Sequence, residues 1–189
     1  LDRWVFSPLA RDDSQNSLKN LAGGLPAPVT GGLQFEQHHG LDGLVLDGKT
    51  NDIQVTNDLA QAKLPAKELA ATAWVRIDAA QKWGGIVGAI QDNGNYERGW
   101  LLGFCDQRFC FALAGKDASG RLTYLNADRN FTLKQWHHVA ATYDGASMRL
   151  YVDGERVAES TEFDPAAFDL NTEAPLRIGA GAGDTWNGL

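Results

Sequence analysis

At 189 residues the chain is long enough to bury a substantial core, and it is expected to form a single unit over residues 1–189. Its 17 basic and 24 acidic side chains leave a net charge of -7 with no basic stripe, which excludes a nucleic-acid partner. No apolar run approaches the roughly 20 residues that span a bilayer, and a chain that opens on Leu1 and whose only methionine is Met148 reads as part of a longer or processed polypeptide.

The first 40 residues have no clear period: Pro26, Pro28 and four glycines between Gly23 and Gly32 predict irregular structure. Leu59 to Leu69 ("LAQAKLPAKEL") is the helical candidate, and Pro65 limits it to a turn or two. Beyond it the apolar period is two. Ala71 to Ile77, Gly85 to Ile90, Trp100 to Phe104, Phe109 to Leu113, Leu122 to Leu125, Val139 to Tyr143 and Met148 to Val152 are short and rich in aromatic and β-branched residues, and read as strands. Asp92 to Asn95, Asp117 to Gly120, Asp144-Gly145 and Asp153-Gly154 supply residues that tolerate positive φ between them. The pattern predicts an all-β antiparallel sandwich or jelly roll.

Residues 136 to 160 predict a three-stranded meander turned by the last two Asp-Gly pairs, with Gly154 at positive φ. Along its first strand Trp136, His138, Ala140 and Thr142 share one face, and His137, Val139, Ala141 and Tyr143 the other. Adjacent histidines pointing apart cannot both reach one ion at about 2.0 to 2.1 Å. One is expected to be hydrogen-bonded and partly buried, the other at the surface. His38-His39 could converge more easily beside Gly40, but no Cys or carboxylate stands at ligand spacing.

The stretch "QWHHVAATYDGASMRLYVDGERVAES" (residues 135–160) resembles the signature of laminin-G-like domains of the concanavalin A-like lectin/glucanase superfamily. "LVLDG" (Leu44 to Gly48), "ATAWVRI" (Ala71 to Ile77) and "PLRIGAG" (Pro175 to Gly181) resemble further motifs of that family in the same order. The resemblance implies a concanavalin A-like jelly roll with Trp74 and Trp136 at core positions. It further implies a non-catalytic carbohydrate- or protein-binding module of a larger secreted, extracellular or periplasmic protein, with a glycan or an extracellular protein as ligand and other domains of the parent chain beside it. Calcium is the implied cofactor. Asp12-Asp13, Gly48 to Asp52 and Asp92 to Asn95 are oxygen-rich, yet none has the spacing of a recognisable calcium loop, so metal ligands stay unassigned. The family closes on a Gly-x-Ile-Asp-Glu-Val-like strand, whereas this sequence stops at "TWNGL", so the sandwich is expected to lack its last strand. The same fold hosts hydrolases and spacers, which leaves a glycan-cleaving hydrolase and a structural spacer as rivals.

The hydrolase needs carboxylates that are missing. Retaining sandwich glucanases carry a Glu-x-Asp-x-x-Glu or Glu-x-Asp-x-Glu run that sets carboxylates about 5 to 5.5 Å apart on one face. The nearest pair here, Glu162 and Asp164, has no third carboxylate and runs into Pro165. No nucleophile elbow or His-Glu-x-x-His is present, and Gly179-x-Gly181-x-Gly183 precedes no helix. The binding chemistry is richer. Between Trp83 and Trp100 lie Asp92, Asn93, Asn95, Tyr96 and Arg98. Aromatic faces stack on sugar C–H surfaces, and planar amide, carboxylate and guanidinium groups hydrogen-bond hydroxyls, so these seven are the candidate ligand-binding residues. The competing reading is a polar hairpin whose tryptophans lie in the core.

Cys105 and Cys110, in "LLGFCDQRFCFAL", flank a turn expected at residues 106–109. On paired strands they face each other or miss by one residue, which leaves a disulfide geometrically open. Two free thiols packed as small apolar groups are the alternative. The resemblance to mostly extracellular modules favours the bond.

Overall fold

The computed structural model describes residues 2–65, 67–92, 95–114, 121–162, 174–181 and 184–189. Asn93, the turn expected at 117–120, Asp164 and Gly183 lie outside the described residues. In chain order the strands are β1 (Arg11–Asp12), β2 (Ser17–Leu18), β3 (Ala27–Thr30), β4 (Phe35–His38), β5 (Leu41–Leu44), β6 (Leu46–Asp47) and β7 (Asp52–Thr56), followed by the helical turn α1 (Leu59–Ala62). Then come β8 (Leu69–Arg76), β9 (Gln81–Asp92), β10 (Glu97–Asp106), β11 (Arg108–Ala114), β12 (Leu122–Asn126), β13 (Trp136–Tyr143), β14 (Met148–Val152) and β15 (Glu155–Ser160). The short strands β16 (Leu176–Ile178), β17 (Ala180–Gly181), β18 (Asp184–Thr185) and β19 (Asn187–Gly188) complete the series.

Among the described residues these strands form a large antiparallel sheet, ordered β1-β2-β3-β7-β16-β9-β10-β11-β12, and a smaller one ordered β15-β14-β13-β8. The core lies between them. Ile86, Trp100, Leu102, Phe104, Phe109, Phe111 and Leu113 of the large sheet share one buried cluster with Leu69, Val75, Val139, Tyr143, Met148 and Leu150 of the small sheet. Each fully buried side chain of this size stabilises the fold by roughly 1.5–3 kcal/mol relative to exposure.

The meander at 136–160 forms as expected. Val152 pairs with Glu155 across Asp153 (φ 53) and Gly154 (φ 85), so both turn residues take the positive φ that a two-residue hairpin requires. The Asp153 carboxylate locks the turn to the first strand, its Oδ1 accepting the His138 N–H at 2.8 Å. The first 40 residues are more ordered than their composition predicts. β1 to β3 extend the large sheet, and Leu18, Ala27 and Val29 reach the common core. Strands of two to four residues are too short to display a period. At the other end, Leu189 and Arg76 exchange backbone hydrogen bonds of 2.7 and 2.8 Å on the β8 edge opposite β13.

Candidate ligand-binding face

Strand alternation gives the large sheet two unlike surfaces from β9 to β12. Trp100, Leu102 and Phe104 of β10 and Phe109, Phe111 and Leu113 of β11 point into the sandwich. Between them, Leu101, Gly103 and Cys105, and opposite these Ala112, Cys110 and Arg108, take the outer face. There Ile90, Leu101, Ala112, Ala114 and Leu122 form a second apolar cluster, with Tyr124 packed against it.

This outer face, termed the trough below, is spanned by an aromatic pair. Trp83 of β9 and Tyr124 of β12 hold their rings 5.6 Å apart, although β10 and β11 run between their strands. Three inter-strand steps of about 4.8 Å separate the strands by roughly 14 Å, so the two long side chains lean toward each other over β10 and β11. Gly103, Cys110 and Ala112 in the intervening strands keep the floor clear for the two rings. Trp83 remains 38% exposed.

Carboxylates stand at the far end of the trough. Asp92 pairs directly with Glu97 across β9 and β10, and Glu97 Oε2 accepts the Leu122 backbone N–H at 2.7 Å. Burial first, and then the negative charge of Glu97, raise the Tyr124 hydroxyl well above the ordinary tyrosine value, so it remains an O–H donor. The face thus offers an exposed indole, a phenolic donor and carboxylate acceptors.

Of the seven residues read from the sequence, Trp83 and Asp92 lie on this face. Trp100 does not: it is 3% exposed in the core, and its indole N–H has no hydrogen-bond partner among the described residues. Arg98 pairs with Gln91, on the side of the strand opposite Glu97. Its guanidinium lies over the Tyr96 ring, 4.5 Å from the centroid, and donates to the Tyr96 hydroxyl. Asn95 lies just before β10. The expected loop is short because β9 and β10 run almost to its tip, and the strand period then divides its residues between two faces. Tyr124, Glu97 and Leu101 were missed. Their outward positions become legible only once the register of β10, β11 and β12 is known.

The resemblance also misplaces Trp74. It is 58% exposed on the outer side of the small sheet, because β8 directs Leu69 and Val75 inward and leaves Thr72, Trp74 and Arg76 outside. Its ring lies 5.2 Å from His138, whose Nε2 is 2.7 Å from Thr72 Oγ1. Trp136 is half-buried and donates its indole N–H to the His38 carbonyl at 3.1 Å. The two adjacent histidines point apart as expected: His137, its side chain 12% exposed, packs on Phe109 and Phe131 and sits 2.8 Å from Asp153 Oδ2.

Cys105 and Cys110 are free thiols, contrary to the expected disulfide. The turn is tighter than residues 106–109, with Asp106 at φ 53 and Cys105 already paired with Arg108. Cys110 therefore pairs with Gly103, two positions out of register with Cys105. Burial, then the neighbouring Cys105, push the Cys110 thiol up to about 12. No three His, Cys, Asp or Glu side chains converge as a metal site among the described residues. The Asp47 carboxylate accepts from Thr50, Lys49 and Asn51, and that of Asp12 from Ser14.

Two facing antiparallel sheets around one core, the larger with an aromatic pair on its outer face, define a lectin-like β-sandwich. The chain belongs to the concanavalin A-like lectin/glucanases superfamily, matching its laminin G profile over residues 47–189. It is 32% identical over 130 residues to pappalysin-1 of Mus musculus and of Homo sapiens, a stretch covering 63% of this chain and 8% of each relative. Among solved structures it is similar to domain 4 of AbnA, a GH43 extracellular arabinanase from Geobacillus stearothermophilus, in complex with arabinotriose. That likeness has a TM-score of 0.67 at 16% identity and covers 92% of this chain and 84% of the other. The binding domain of botulinum neurotoxin DC in complex with SialylT is similar at TM-score 0.60 and 15% identity, over 94% of this chain and 42% of that one. At such identities the likeness concerns the fold. Among the described residues no helix is long and apolar enough to cross a membrane.

Proposed function

We propose that this domain is a non-catalytic carbohydrate-binding module of a larger exported protein, and that its ligand lies in the trough over β9 to β12. The observation that carries the reading is the Trp83 indole, held half-open against Tyr124 on the face that also bears Asp92 and Glu97. An oligosaccharide lying along the strands can stack the C–H face of one pyranose on the indole while hydroxyls of its other units bond the phenol and the carboxylates. Glycan-bound relatives of the fold, such as the arabinotriose complex, support the class of ligand without locating it. One feature favours the hydrolytic alternative: Asp92 and Glu97 are cross-strand neighbours on one face. Against it, Glu97 is engaged by the Leu122 N–H, which holds its carboxylate in a structural role.

The test is a glycan-array screen of the purified domain with and without calcium, repeated on Trp83→Ala and Trp74→Ala. Binding that Trp83→Ala abolishes and Trp74→Ala spares supports the trough. The opposite pattern moves the site to the small sheet, and a blank array favours a spacer. Cleavage of a bound glycan by the wild type would overturn the non-catalytic reading.

A further inference from the structure

The loop between β12 and β13 carries Asn130-Phe131-Thr132, the one Asn-x-Ser/Thr triplet among the chain's ten asparagines. That triplet is the acceptor pattern for N-linked glycosylation, which also requires the asparagine at the surface. The fold meets this requirement by anchoring the middle residue. Phe131 is 4% exposed, its ring 4.6 Å from Phe109 and edge-on at 5.6 Å from Phe104. Its backbone N–H donates to the Gln107 carbonyl, and its own carbonyl accepts from Gln107 Nε2, both at 2.8 Å. Asn130 and Thr132 flank the anchor and are both exposed. Thr132 engages His137 Nε2 only through its backbone, the carbonyl at 3.1 Å, so its hydroxyl is not consumed by the fold. Among the described residues the Asn130 carboxamide makes no hydrogen bond that a modification would break.

We propose that Asn130 is an N-glycosylation site, used when the chain enters a lumen that holds the transferase. The inference rests on the reading that the domain is exported, and is independent of whether the trough binds glycan. In the transfer, Asn130 Nδ2 attacks C1 of the first sugar of a polyisoprenyl-diphosphate-linked oligosaccharide. The new C–N bond forms as the C1–O bond to the diphosphate breaks. The amide releases one proton, the polyisoprenyl diphosphate departs, and no oxidant is involved. Because the side chain already faces solvent, the folded domain accommodates the sugar without moving Phe131.

The experiment routes the domain through the secretory pathway of cultured mammalian cells behind a cleavable leader. Intact mass is measured on both the medium and the microsomal fraction, before and after peptide N-glycosidase. The wild type should lose the mass of one oligosaccharide, with Asn130 converted to Asp by the glycosidase. Asn130→Gln and Thr132→Ala should abolish the shift, and Thr132→Ser should keep it, since it restores the hydroxyl. Unmodified wild type in the lumenal fractions, or a shift that survives Asn130→Gln, would overturn the assignment. Trough binding is read separately on the array, so either reading can fail alone.

Discussion

Gly154→Val isolates the cost of one backbone conformation. Gly154 sits at φ +85 in the two-residue turn between β14 and β15, and a Cβ added there meets nothing within 4 Å. No clash is created, and the penalty is that of forcing an L-residue into the left-handed region, about 1–2 kcal/mol. In a domain of this size each kcal/mol lowers the melting temperature by about 2–4 °C, so Val should cost about 2–8 °C. Gly154→Asn should lose clearly less, because asparagine enters this region more readily. Gly99→Ala supplies the contrast: at φ +93 its Cβ would stand 1.8 Å from the Ala89 carbonyl oxygen, so even a methyl group must displace β9 and the loss should exceed that of Gly154→Val. Urea unfolding followed by circular dichroism measures all three. A Gly154→Val domain as stable as wild type, or an asparagine as harmful as valine, would refute the turn assignment.

Intact mass should be identical with and without reductant. Alkylation of the native domain should reach Cys105 slowly and Cys110 only on unfolding, since burial holds the Cys110 thiol up to about 12; a gain of two hydrogens on reduction would contradict the free thiols. Asp144 is held down to about 2, from 3.8, by the Arg149 guanidinium and then by the Ser147 and Ala146 N–H groups. A folded value below the unfolded one stabilises above pH 3.8, and this contribution disappears as pH falls toward 2. Asp144→Asn should flatten the melting curve's acid limb in that window, and an unchanged slope would refute the linkage. Glu97→Ala strands the Leu122 N–H and should cost about 1–3 kcal/mol in thermal or urea unfolding, whereas Glu97→Gln, which can still accept, should cost little.

Much of the fold could be read without coordinates wherever the chain itself states the period. β13 to β15 carry both turns in 25 residues, so the meander and the two faces of its first strand are legible, down to the opposed histidines. The site was less legible because it depends on which strands are neighbours. Trp83 meets Tyr124 across two intervening strands, a contact that no local pattern encodes. Trp100, seventeen residues beyond Trp83, belongs to the core because hairpin register, not loop proximity, decides its face. Trp74 failed for a related reason: the strand motif was right, but the inward positions of β8 fall at Leu69 and Val75, on the opposite parity to the tryptophan. The cysteine pair turned on two residues of turn length, since a hairpin closed by Asp106 and Gln107 alone pairs Cys110 with Gly103.

The claim that ligand occupies the trough is tested most directly by titrating the isotope-labelled domain with an oligosaccharide selected on the array and following its amide and indole resonances. Perturbations confined to the Trp83 indole N–H and to the amides of Leu101, Gly103, Cys110 and Tyr124 are the predicted result, with at least a tenfold weaker affinity, about 1.4 kcal/mol, in Trp83→Ala. Perturbations centred on Trp74 and His138, with the β9 to β12 resonances unmoved, would contradict it.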